Sequence, residues 1–226
     1  MLREVTTDLW AIETPFELLG MKMGVRMTVV RRLNGDLFVY APFAVTDEDE
    51  AAIRDKGEVR DIVAPNPGHY TEVSDFAKRF PDATLWVISD IAKKVADVPH
   101  KILEEAPESW KEDFDSILFD GTPLFREWAF CHRASKSLLI TDLAFHLPRP
   151  ETPLNRIAAR LNDVGRRFGV SRAWRTGLKL GNKNRNRECV QTILGWDFER
   201  IVPGHGFVVE KNAKEQFRSA YRFLKV

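Results

Sequence analysis

The chain has 226 residues, of which 44% are hydrophobic and 30% are charged, and its formal net charge is +1. This composition is typical of a globular protein that buries a core without disulfides, and it argues against a disordered chain. No apolar run approaches the ~20 residues that cross a bilayer, and a net charge near zero does not favour a polyanion-binding protein.

The cysteines and the N-terminus bear on the compartment. Cys131 and Cys189 form neither a Cys-x-x-Cys pair nor a disulfide framework. Residues 1–8 lack the apolar stretch of a signal peptide. We therefore expect a reducing, cytoplasmic location.

The first half of the chain predicts strands joined by tight turns. Two β-rich runs, Met27–Arg32 and Asp36–Tyr40, flank Asn34-Gly35, a dipeptide typical of hairpins. A helix should follow, with Thr46 as its N-cap and Gly57 after its end. The other elements expected in this half are strands at 59–64 and 83–88 and a helix at 71–80.

The second half predicts strands followed by helices. Residues 97–114 appear irregular, because prolines and acids are mixed there. A helix should begin at Thr152-Pro153 and end at Gly169, and residues 176–187 should form a loop. Asn212 should cap the last helix. The strands expected here are 115–119, 128–132 and 137–143. The residues expected to form the buried face of the first helix are Leu154, Ile157, Leu161, Val164 and Phe168.

The order of the elements predicts an α/β layered fold, because strands alternate with helices after a β-rich start. The sequence has no Gly-x-Gly-x-x-Gly motif after a strand, no Walker A loop and no Gly-x-Ser-x-Gly elbow. Nucleotide-binding folds and serine hydrolases are therefore disfavoured.

Four candidate metal ligands lie at or just beyond predicted strand ends: His69, His132, Asp142 and His205. His205 stands in Pro203-Gly204-His205-Gly206, where the glycines allow a sharp turn and a close backbone approach. An acid at the edge of an apolar run, such as Asp142, is costly unless it is paired or binds a cation. Three imidazoles and a carboxylate suit zinc, iron or manganese.

These motifs resemble the metallo-β-lactamase superfamily over most of residues 25–226. There, a strand-edge histidine precedes an apolar strand that leads to an aspartate, and a later strand ends in Pro-Gly-His-Gly. His132, Thr141-Asp142-Leu143 and Pro203-Gly204-His205-Gly206 match these elements in order. The resemblance implies a four-layer αββα sandwich, with residues 1–226 as a single domain and residues 1–25 as an N-terminal extension packed on it.

The chain departs from the superfamily signature His-x-His-x-Asp-His. The corresponding segment is Ala64-Pro65-Asn66-Pro67-Gly68-His69, which keeps one histidine. The usual dinuclear site is therefore incomplete. A Pro-Asn-x-x-His loop is similar to that of a divergent branch of the superfamily, for which the resemblance supplies no substrate.

The first functional hypothesis is a mononuclear metal-dependent hydrolase. His69, His132, Asp142 and His205 would hold one divalent ion, zinc first, with Asp142 and His132 in catalytic roles. A bound metal lowers the pKa of water toward ~7, which prepares attack on a carbonyl or phosphoryl centre.

Each candidate residue also has a structural explanation. Asp142 can cap a turn, His132 can be a core histidine bonded to backbone, and His69 can be a surface-loop residue. His146 is a possible substitute ligand, and Asn66 a possible group for orienting water.

Two other functional hypotheses stay open. One is a non-catalytic binding protein on a degenerate hydrolase fold, without any metal. The other is a nucleic-acid processing protein, supported only by residues 151–187, which carry ten Lys and Arg against two acids. We favour a small-molecule substrate, with an anionic one as an option, over nucleic acid. We expect no membrane partner and leave the oligomeric state open.

Overall fold

The computed structural model of the chain describes residues 1–18, 21–122, 126–164 and 167–226. The described strands are β1 (Arg3–Thr6), β2 (Leu9–Thr14), β3 (Glu17–Leu18), β4 (Met21–Lys22), β5 (Val25–Arg31), β6 (Leu37–Tyr40), β7 (Val59–Ala64), β8 (Thr84–Val87), β9 (Lys101–Ile102), β10 (Phe114–Phe119), β11 (Glu127–His132), β12 (Ser137–Ile140) and β13 (Arg200–Pro203). The described α-helices are α1 (Asp47–Lys56), α2 (Val73–Arg79), α3 (Pro153–Asn162), α4 (Arg172–Leu180), α5 (Lys183–Gly195) and α6 (Ala213–Tyr221). Short 3-10 helices cover Ser89–Val95, Glu108–Trp110 and Arg222–Leu224.

The chain divides into two compact units. The first unit comprises Met1–Glu13 and Arg26–Phe114, and the second comprises Thr14–Val25 and Asp115–Val226. Residues 1–25 are therefore shared between the two units, and the single domain over 1–226 stays a prediction. Among the described helices, none is long and apolar enough to cross a membrane.

The first unit contains a seven-stranded sheet in the order β1-β2-β5-β6-β7-β8-β9. The β5–β6 hairpin is antiparallel, as its Asn-Gly turn predicts, and β6 to β9 run parallel. Helix α1 begins as predicted, because the Thr46 side chain accepts a hydrogen bond from the Asp49 backbone N–H. The parallel strands direct the end of β7 into the loop that carries His69.

A buried polar cluster stabilises β7 through Asp61. Arg32 pairs with Asp61 at 3.0 Å and with Asp113 at 2.9 Å, and all three side chains are buried. The indole N–H groups of Trp86 and Trp110 donate to the Asp61 carboxylate at 2.9 and 3.0 Å. Because each carboxylate has several donors, the charges are buried without being left unpaired.

The second unit contains a four-stranded sheet in the order β10-β11-β12-β13. Strands β11 and β12 are antiparallel, whereas β12 and β13 are parallel. A parallel pair needs a long crossover, and helices α3, α4 and α5 lie on that connection. The apolar faces of α5 and α6 pack on this sheet through Val190, Ile193, Phe217 and Tyr221.

The predicted course of α3 is wrong in two respects. The helix ends at Asn162, where Asp163 adopts a left-handed conformation that aspartate tolerates, and does not continue to Gly169. Residues 165 and 166, which the longer helix would include, lie outside the described residues. Leu154, Ile157 and Leu161 are 75%, 58% and 60% exposed, so helical spacing alone identified an apolar face that this unit does not bury.

The loop predicted at 176–187 is also wrong. Helix α4 runs to Leu180 and α5 begins at Lys183, so only Gly181 and Asn182 separate them. The Asn182 side chain accepts the Arg185 backbone N–H, and asparagine therefore starts a helix here.

Smaller differences concern element ends. The strand expected to reach residue 143 ends at Ile140, and the stretch 97–114 includes β9 and a 3-10 turn. Asn212 is the N-cap of α6 as predicted, but it is left-handed and its side chain makes no capping hydrogen bond.

Both cysteines are free thiols, fully buried in the second unit. Burial raises the pKa of Cys131 to about 12 and that of Cys189 to about 11. Because the thiolate is the reactive form, we predict that neither thiol reacts with iodoacetamide at pH 8 in the folded protein, and that both react after unfolding. Mass spectrometry of labelled protein checks this, and equal labelling of folded and unfolded chains would contradict the described packing.

Candidate metal centre

The parallel pairing of β12 and β13 brings Asp142 and His205 together. Ile140 pairs with Pro203 in the register, and each ligand candidate lies two residues beyond its strand. The carboxyl ends of parallel strands meet at one edge of a sheet, so both side chains reach the same place. His205 Nε2 lies 3.3 Å from Asp142 Oδ1.

His132 lies at the other end of β12. Because β11 runs antiparallel to β12, His132 pairs with Ser137 at the start of β12 rather than with its end. The His132 ring is buried, and its Nδ1 lies 2.8 Å from the Ser135 hydroxyl. The structure therefore separates His132 from Asp142 and His205 by the length of the strand.

Two glycines allow the turn that presents His205. A Cβ on Gly204 would lie 3.0 Å from the Thr141 Cα, so a side chain there would force the two strand ends apart by a few tenths of an ångström. Gly206 has a φ of +78°, and a Cβ there would collide with the His146 carbonyl oxygen. Gly206 needs glycine both for space and for its backbone conformation, and Gly204 favours glycine for space.

A backbone carbonyl fixes the tautomer of His205. The ring Nδ1 donates a hydrogen bond to the Gly24 carbonyl oxygen, which can only accept. Nδ1 therefore carries a proton, and Nε2 is the ring nitrogen that faces Asp142. The rings of Phe16 and Phe145 lie 6.1 and 5.9 Å from the imidazole, which is 5% exposed.

Glu127 holds the backbone that carries Asp142. Its Oε1 accepts the Thr141 N–H at 2.6 Å, and its Oε2 accepts the Asp142 N–H at 2.7 Å. Burial raises the pKa of Glu127, and the nearby Asp142 charge raises it further. This residue was missed in the sequence, although an acid at the edge of the apolar run 128–132 is the same signal that identified Asp142.

His69 follows a tight turn after β7. The Asn66 side-chain oxygen accepts the backbone N–H groups of Gly68 and His69 at 2.7 and 2.9 Å, which is an Asx turn. Asn66 is almost fully buried and His69 is half-buried. The asparagine therefore acts on the loop backbone.

Two of the four predicted ligands, Asp142 and His205, lie side by side in the second unit. His69 belongs to the first unit, and its place in the same ligand set stays a prediction. His132 lies at the other end of β12. His146, the possible substitute ligand, pairs with Gly206, and its carbonyl accepts the Phe207 N–H.

The family comparison matches most of the chain. The family model of a domain of unknown function, DUF4336, matches residues 6–170. No curated protein matches the sequence.

Solved structures with the same fold cover nearly the whole chain. The FIM-1 metallo-β-lactamase of Pseudomonas aeruginosa, in its mono-zinc form, has a TM-score of 0.62 and 10% identity over 100% of this chain and 94% of its own. A metallo-β-lactamase of Hirschia baltica has a TM-score of 0.62 and 12% identity over 99% and 97%. The Flv1 flavodiiron core of Synechocystis sp. PCC6803 has a TM-score of 0.67 and 10% identity over 100% and 60%.

These identities are low, so the likeness shows the fold alone. The chain has an α/β fold of the metallo-β-lactamase type, which confirms the prediction from Pro203-Gly204-His205-Gly206 and Thr141-Asp142-Leu143.

Replacing Glu127 tests its role under Asp142. In Glu127→Gln, the amide NH2 faces one of the two backbone N–H groups, so a buried donor loses its acceptor. We predict that the free energy of unfolding falls by about 2 kcal/mol. Urea denaturation measures this, with Glu210→Gln at an exposed position as the matched control. Equal stability of the two variants would contradict the role assigned to Glu127.

Proposed function

The chain belongs to the DUF4336 family, and from that premise we propose that it is a mononuclear metal-dependent hydrolase. The observation that carries the proposal is the pair of Asp142 and His205, whose side chains lie 3.3 Å apart. His69, after β7, is the third proposed ligand. Two imidazoles and a carboxylate are the ligand set of several catalytic zinc sites, in which a fourth position stays open for water or substrate.

The surroundings of His205 suit a metal ligand. A ligating histidine usually donates its other ring N–H to a carbonyl or carboxylate, which fixes the tautomer and orients the ring. The bond from His205 Nδ1 to the Gly24 carbonyl does this, and it leaves Nε2 beside Asp142. Zinc fits this donor set best, and iron or manganese are alternatives.

One ion rather than two is expected from the loop after β7. Ala64 and Gly68 have no donor side chain, and the Asn66 oxygen already accepts two backbone N–H groups. Asn66 therefore holds the loop backbone at a position where the superfamily signature has a histidine ligand. FIM-1, which shares the fold, is described in a mono-zinc form, so this fold accommodates a single zinc ion in that protein.

Different residues of the chain have different roles at the site. His69, Asp142 and His205 would hold the ion, which when bound supplies a Lewis acid for water activation and carbonyl or phosphoryl polarisation. Glu127 holds the Asp142 backbone in place through two hydrogen bonds. Phe16 and Phe145 flank the His205 ring and limit access of water to it.

Metal content tests the ligand set. We predict about one zinc, iron or manganese ion per chain in protein purified without chelator or nickel, and loss of that ion in His205→Ala and Asp142→Asn. Elemental mass spectrometry measures the ratio. His100→Ala is the matched control, because His100 lies outside the ligand group and its Nδ1 contacts the Val98 carbonyl oxygen. If the protein takes up no metal even after incubation with zinc and manganese, the hydrolase proposal is contradicted. A non-catalytic binding protein is then the favoured function.

Activity tests the reaction class. Metal-loaded protein should hydrolyse at least one member of a panel of esters, thioesters and phosphodiesters. His205→Ala should lose about 100-fold or more in rate, because losing even a residue that hydrogen-bonds a metal ligand costs about 10–100-fold. A metal-loaded protein that is inactive throughout the panel, or a variant with unchanged rates, would contradict the hydrolase assignment.

A further inference from the structure

A cavity of about 490 Å³ lies in the second unit, beside helix α3. Three arginines line it: Arg149, Arg156 and Arg160. Of the described residues that line this cavity, none is acidic. Three guanidinium groups around one space create a positive potential that favours an anionic ligand.

Two nearby acids are paired with other cations. Glu151 lies 3.0 Å from Lys22, and Asp163 lies 2.7 Å from Arg175. Within the described part of the chain, none of the three cavity arginines forms an ion pair. Arg156 donates its Nε to the Pro150 carbonyl at 2.9 Å, which holds its guanidinium at the cavity wall.

The rest of the cavity is apolar. Leu147, Ala159 and Val164 are buried side chains that line it. Phe207 also lines it and is 56% exposed, and its ring meets that of His146 edge-on at 5.6 Å. An exposed phenyl face beside buried aliphatic side chains suits an apolar group of a ligand, and the arginines suit its charge.

The cavity adjoins the strand end that carries His205. His146 pairs with Gly206, and the Phe207 N–H donates to the His146 carbonyl at 2.8 Å. Phe145, next to His146 in the chain, contacts the His205 ring at a centroid distance of 5.9 Å. A molecule in the cavity therefore lies against the same short segments that position His205.

We propose that this cavity binds an organic anion, with its phosphate or carboxylate group at Arg149, Arg156 and Arg160 and its apolar part against Leu147, Val164 and Phe207. The planar guanidinium matches both oxyanions with paired N–H donors. The identification of this anion as the substrate rests on the proposed hydrolase function, whereas binding itself needs no metal.

Isothermal titration calorimetry with phenyl phosphate tests the charged half of the proposal. The full chain is used after chelator treatment, so that binding is measured without a metal. Arg156→Gln/Arg160→Gln should weaken binding by about tenfold or more, because two charge-assisted contacts are lost. Arg218→Gln, an exposed arginine on α6, is the matched control and should leave the affinity unchanged. Binding of the unaltered protein should also weaken as salt is raised.

A comparison of two ligands tests the apolar half. Phenyl phosphate should bind more tightly than inorganic phosphate, and Phe207→Ala should reduce that difference without weakening inorganic phosphate. The proposal is overturned if phenyl phosphate does not bind at millimolar concentration, or if the double arginine variant and the control bind equally. The titrations use metal-free protein, so their outcome does not depend on whether the protein is a hydrolase.

Discussion

The parallel pairing of β12 with β13 is the constraint on which the candidate centre depends. Its register sets Ile140 opposite Pro203, so two residues later Asp142 and His205 arrive at the same sheet edge. A shift of one residue would turn one of the two side chains to the opposite face. The core packing of both strands opposes such a shift, because it would take Leu138, Ile140 and Ile201 out of the cluster that they share. Core packing thus determines ligand geometry.

Hydrogen bonds that involve the main chain hold Asp142 and His205 in place. The Gly24 carbonyl sets the His205 tautomer, and Glu127 binds the N–H groups of Thr141 and Asp142. Gly204 and Gly206 allow the close approach that these contacts require. The site is therefore preorganised by hydrogen bonds to main chain, which ligand side chains alone would not provide.

The sequence predicted the fold and the turn that presents His205, because its signals there are local. Three local predictions are confirmed: the hairpin at Asn34-Gly35, the helix N-cap at Thr46 and the sharp turn at Pro203-Gly204-His205-Gly206. The sequence could not place His132, since only strand direction decides which edge it reaches. It also misjudged Leu154, Ile157 and Leu161, because helical spacing identifies an apolar face but not whether anything covers it.

Anomalous X-ray diffraction from crystals grown with zinc tests the proposed metal centre directly, because it locates the ion. We predict one strong peak at about 2.0–2.1 Å from His205 Nε2, with the carboxylate of Asp142 and the imidazole of His69 as further ligands. No peak at this position, or a peak ligated by neither Asp142 nor His205, would contradict the proposed ligand set.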